Sequence, residues 1–116
     1  MLSHSLDRGV LVITVHQDPG IGGRATLLTK ISDLVQACRP APVVVLLDER
    51  AAQSAVVSVL LRVHRLCSRL GTVMSVATHS APTRRALEAH ADTAGTRLVV
   101  HARADTAVAA AFAAAA

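Results

Sequence analysis

The stretch LLDERAAQSAVV, residues 46–57, leaves one apolar run, crosses a polar turn and enters another run with Ser54 at the crossing. Three chemistries are open to a serine there. As a helix N-cap, its hydroxyl would accept from one of the first backbone N–H groups, which have no partner inside the helix. As a nucleophile it would imitate the G-x-S-x-G elbow, with small residues at Ala52 and Ala55. That elbow needs an acid and a histidine delivered by a far larger chain, and Val56 is bulky where glycine is wanted. As a phosphoacceptor it would add about −1.5 to −2 charge beside the positive end of a helix, so the effect would fall on a partner. Ser58, one helical turn further on, is a second acceptor.

Other residue sets offer other chemistry. GIGGRA, residues 20–25, matches the dinucleotide fingerprint G-x-G-x-x-A between a strand and a helix, with Asp48 ending the next strand. His16-Gln17-Asp18-Pro19 intervenes where the fingerprint has its tight turn, so a partner-facing loop presenting Gly20 and Gly22 is the stronger expectation. His16, His79 and His101 each follow a strand-like run, as does Asp48, and such ends share one edge of a parallel sheet. Three metal ligands must converge on a point, and polar residues leaving a sheet into water are the simpler reading, so no metal is expected. Arg62, Arg65 and Arg69 line one side of a helical stretch, either as a solvated face or as a docking strip for an acidic surface.

The elements that must position these residues are legible in the apolar spacing. VLVITV, residues 10–15, reads as a strand bounded by Gly9 and the turn-rich HQDPGIGG. Leu27, Leu28, Ile31, Leu34, Val35 and Cys38 recur at threes and fours, which predicts a helix over about 24–38, stopped by Pro40 and Pro42. VVVLL, residues 43–47, has no polar alternation and predicts a strand covered on both faces. From Ala55 to Leu70 a second helix carries Val56, Val59, Leu60, Val63 and Cys67 on its apolar face, with Gly71 as its C-cap. TVMSVAT, 72–78, predicts a third strand; Ser80 and Pro82 open a helix through about 91; RLVVH is a fourth strand. Asp105 caps a final alanine-rich helix. The alternation implies one α/β domain over residues 1–116, core about 9–112. Its sheet is mixed but mostly parallel, of four to five strands flanked by four to five helices.

The run VVVLLDERAAQSAVVSVLLRVHRLCSRLGTVMSVAT resembles the central strand, switch turn, helix and next strand of the STAS domain. That domain is named for sulfate transporters and anti-sigma factor antagonists. The match spans roughly residues 9–112. Its carriers are the strand ending at Leu47, a serine seven residues later, a long aliphatic helix ending Arg69-Leu70-Gly71, a further strand and the helix SAPTRRALEAH. In the antagonist branch the turn typically reads Asp-Ser-(Ser/Ala)-Gly. Here Gln53 and Val56 stand at the Asp and Gly positions, and Ser54 matches the phosphorylated serine. The family's Gly-x-Leu-Asp after the first long strand is replaced by Gln17-Asp18-Pro19-Gly20. The resemblance implies a STAS-like regulatory domain without enzyme activity that binds an anti-sigma factor/serine kinase and is switched at Ser54. Gln53, Ser54, Ala55, Val56, Ser58, Arg62, Gly20 and Gly22 would form its partner-binding surface. A non-phosphorylated scaffold of the same fold, or a small nucleotide-binding protein using Gly20 to Arg24, are the alternatives.

Composition limits the remaining classes. Apolar residues make up 52% and charged residues 17%, ample material for a core, with Phe112 the lone aromatic. The net charge of +4 would attract acidic partners. Eleven of the twelve basic residues are arginine, spread along the chain, and the aromatic platforms of single-strand binding are missing, so no nucleic acid partner is expected. Cys38 and Cys67 occupy apolar-periodic positions rather than a CxxC pair, as reduced core residues do. MLSHSLDRG carries no signal pattern and no apolar run approaches the ~18 residues of a spanning helix. The expectation is a cytoplasmic chain without cofactor or membrane partner, monomeric or weakly dimeric.

Overall fold

Five apolar residues in a row, Val43 to Leu47, form the middle strand of a five-stranded sheet, where side chains are needed on both faces. The computed structural model describes residues 2–51, 54–90 and 98–115. Its strands are β1 (Leu2–Asp7), β2 (Val10–Val15), β3 (Val43–Leu47), β4 (Met74–Thr78) and β5 (Val99–His101). They follow chain order across the sheet. β1 runs antiparallel to β2, and the later neighbours are parallel. Between and after them come α1 (Gly20–Cys38), α2 (Ser54–Leu70), α3 (Ala81–Glu88) and α4 (Ala104–Ala115), with a 3₁₀ turn at Glu49–Ala51. This is the expected α/β class, a mixed and mostly parallel sheet with helices on both sides.

Parallel neighbours in chain order need crossovers of one hand, which brings α1, α2 and α3 to the same face. There Leu27, Ile31 and Val35 of α1, Val56, Leu60 and Val63 of α2, and Leu87 of α3 close over Leu11, Ile13, Val45 and Val76. The opposite face holds a thinner core, Val10, Val44 and Ala77 under Ala107 and Ala111 of α4. Strand alternation explains the division, since Val43, Val45 and Leu47 point to the first face and Val44 and Leu46 to the second.

Several boundaries differ from the sequence expectation, each for a local reason. β1 is an additional strand, joined to β2 by the two-residue turn Arg8-Gly9, with Asp7 opposite Val10. Both turn residues have positive φ, 51° and 84°, the geometry that suits a right-handed hairpin and that glycine adopts without strain. The alternation in LSHSLD is weak, and its residues are exposed or half-exposed, so periodicity alone passes over it. α1 begins at Gly20, four residues before the expected 24, because the glycine run is part of the helix. β4 begins only at Met74: the Thr72 N–H bonds the Cys67 carbonyl at 2.8 Å at the end of α2, and Gly71, at φ 70°, makes the expected C-cap. Ser80 caps α3, its hydroxyl accepting from the Thr83 N–H at 3.3 Å, but the helix closes at Glu88. Asp105 lies inside the first turn of α4 rather than before it. Its carboxylate accepts from the Thr106 N–H and, bidentately, from Arg103 at 3.1 and 2.7 Å, and these bonds lower its pKa. Among the described residues, no helix is long and apolar enough to cross a membrane.

Leu60 is fully buried on α2. Leu60→Ala should cost about 2–5 kcal/mol in urea unfolding, the range for a leucine removed from a close-packed core. Burial pushes the Cys67 thiol up to about 11. The folded chain therefore keeps a proton that an unfolded thiol releases, so stability holds below the ordinary thiol range and falls as pH climbs toward 11. Timed alkylation at neutral pH, read by mass spectrometry, should modify the half-buried Cys38 before Cys67.

Candidate partner-binding cleft

The chain's parallel crossovers start α1, α2 and α3 from the same edge of the sheet, and α1 and α2 pack side by side. Between their N-terminal halves lies a cleft of about 350 Å³, lined by Ile21, Arg24, Leu28 and Thr29 of α1 and by Ser58 and Arg62 of α2. On α2, positions 54, 58 and 62 are four residues apart and form one row along the helix. Position 54 thus heads the row that borders the cleft. On α1, Ile21, Arg24, Ala25 and Leu28 recur at threes and fours on the side facing it.

Residues of α1 from Ile21 onward and residues of α2 from Ser58 onward therefore line one surface. Gly20 and Gly22 occupy the first turn of α1 beside Ile21, which is 82% exposed. Ser54 is the first residue of α2, one position inside the helix rather than before it. Its side chain, together with Ala52 and Gln53, lies outside the described residues. Ala55 is half-buried, and Ser58 and Arg62 line the cleft. Val56 is a correction to the expected surface. It is fully buried against the sheet, so it anchors the turn from inside and offers nothing to a partner. Arg65 and Arg69 are exposed on α2 beyond the cleft.

The glycine run is not the loop expected. Its residues fall within α1, which Gly20 opens at a left-handed φ of 67°, and Asp18 sits before them with its Oδ2 accepting from the Gly20 N–H at 3.0 Å. A dinucleotide's pyrophosphate would need that N-terminus free of carboxylate. The Asp18 carboxylate thus takes one of the N–H groups that a pyrophosphate at Gly20 to Arg24 would use. Glycine is also expensive inside a helix, so its presence calls for a reason. A Cβ at Gly23 would stand 3.3 Å from the Pro19 Cβ, a tight contact, but a Cβ at Gly22 would meet nothing within 4 Å. Packing inside the molecule does not require glycine at 22.

The strand-end polar residues do not gather into a site. His16 and His79 follow β2 and β4, which β3 separates, and two strand spacings set them roughly 10 Å apart. His16 Nε2 is 2.8 Å from the Ser3 hydroxyl on β1, a contact that the unforeseen strand supplies. Among the described residues, no three His, Cys, Asp or Glu side chains come together as a metal site would require. Sequence reasoning also passed over His64, a buried polar side chain on α2, because it falls at an apolar-periodic position next to Val63. No family model matches the chain, and neither the curated proteins nor the solved structures include a match to it.

Replacing Gly22 with alanine should raise stability by about 0.5–1 kcal/mol, since the helix gains propensity and the added methyl meets open space. Chemical denaturation of wild type and Gly22→Ala measures the difference.

Proposed function

We propose that this chain is a regulatory protein-interaction domain of the STAS-like, anti-sigma factor antagonist kind, which binds an anti-sigma factor/serine kinase and is released when Ser54 is phosphorylated. One observation carries the reading: Ser54 opens α2 at the head of the helix row that continues through Ser58 and Arg62 into the cleft shared with α1. The later members of that row, Ser58 and Arg62, line a surface rather than the core.

The physics of the switch follows from position. A phosphoserine adds about −1.5 to −2 charge and three acceptor oxygens, and the first turn of a helix accommodates negative charge. The fold keeps its stability while the surface changes sign. In a close interface, the dianion must be stripped of water or face the partner's own charges, and the complex is lost. Gln53 in place of aspartate removes a like charge next to the acceptor, so the unmodified turn is less acidic than the family pattern. The partner would supply the kinase activity, and this chain the acceptor hydroxyl.

The test uses the purified full chain with the ATP-binding anti-sigma kinases of its source cell. Wild type and Ser54→Ala should bind one of them, Ser54→Asp should bind at least tenfold more weakly, and intact-mass analysis after incubation with ATP should show one phosphate on wild type and none on Ser54→Ala. Equal affinities for the alanine and aspartate variants would sink the switch.

A further inference from the structure

We infer that the α1–α2 cleft is a docking groove for an acidic amphipathic helix of a partner protein, one apolar side chain of which seats between Ile21 and Leu28 while flanking carboxylates engage Arg24 and Arg62. This deepens the proposed function by naming the partner's chemistry, and it relies on that reading only for the effect of Ser54.

Three features of the cleft specify this occupant. Its floor is apolar: Ile21 is 82% exposed and Leu28 is half-buried, a large aliphatic surface left in water that an apolar anchor would cover. Its rim is cationic, with Arg24 on one helix and Arg62 on the other, and among the described residues no acidic side chain lines it. Neither arginine has a carboxylate partner among the described residues, so both forks are available for bidentate pairing. Third, Ala25 and Thr29 line the cleft from α1 as a low wall, and Gly22, one turn before Ala25 and next to Ile21, is exposed. Gly22 has no steric need to be glycine within the fold. A partner helix pressing its backbone onto that wall supplies the need.

The shape suits a helix better than other acidic ligands. A furrow between two packed helices receives a third helix through its row of side chains, read at i, i+3, i+4 and i+7. Single-stranded nucleic acid would call for aromatic stacking surfaces, and none line the cleft. A phosphate on Ser54, the first residue of α2, would add a dianion to the helix from which Ser58 and Arg62 line the cleft, a charge of the same sign as the partner's carboxylates.

The experiment selects from a displayed library of helical peptides, randomised on one face, on the wild-type chain. The selected peptides should be net acidic around a single apolar residue. Their affinity should fall on the order of tenfold or more for Ile21→Asp and for the pair Arg24→Glu with Arg62→Glu, and should weaken as salt rises. Gly22→Ala, a variant that stays folded and melts higher, should bind more weakly than wild type, separating loss of contact from loss of fold. Peptides without net negative charge, undiminished binding to the charge-reversed pair, or binding to phosphatidylglycerol vesicles in place of peptides would each overturn the groove. Ser54→Asp separates the two readings. Acidic peptides that bind it as tightly as wild type leave the groove standing and remove the switch. Loss of a kinase partner with Ser54→Asp but not with the groove variants does the reverse.

Discussion

β3 cannot be satisfied from one side. Val43, Val45 and Leu47 need cover on one face and Val44 and Leu46 on the other, so the strand at the middle of the sheet obliges the chain to place helices both above and below it. Parallel crossovers of one hand send α1, α2 and α3 to the same side, and the other side waits for whatever follows β5. That arrangement also aims the starts of α1 and α2 at a common edge. The cleft is thus a by-product of how an apolar central strand is covered, and the residues at the two helix starts are free to specialise.

The elements with strong periodicity were readable from the chain. VVVLL gave β3 to the residue, and the stripe from Val56 to Leu70 gave α2 within one residue of its start. What escaped reading lay where local chemistry outweighs periodicity. β1 is a strand because a two-residue turn folds it back on β2, and its own side chains supply little hydrophobic signal. The glycine run looks like a loop by composition, yet the Asp18 carboxylate and Pro19 start a helix there and α1 continues through it. Asp105 resembles a cap in sequence but spends its carboxylate on Arg103 and on the next amide.

The candidate site was legible as two separate stretches but not as one place. Sequence spacing identifies the row from Ser54 to Arg62, and composition identifies the glycines, but only the order of strands tells that α1 and α2 are neighbours at those ends. Ile21 and Arg24 acquire meaning through that adjacency. Val56 moves the other way, since a position that looks like part of a switch turn is a core residue holding the turn in register. Surface and core alternate within a few residues here, and burial separates them in a way that sequence proximity does not.

α4 is fastened to its face of the sheet chiefly by Ala107 and Ala111, with Val108 partly buried beside them. Methyl groups let a helix lie close, but each contributes far less apolar area than the leucines and isoleucines under α1 and α2. The molecule therefore has a heavy side and a light side. Opening of the light side exposes little hydrocarbon, so the amides of α4 should exchange with solvent through a local excursion that leaves the other layer shut. The α1–α2 cleft lies on the heavy face of the sheet, and the layer held by less hydrocarbon lies on the other.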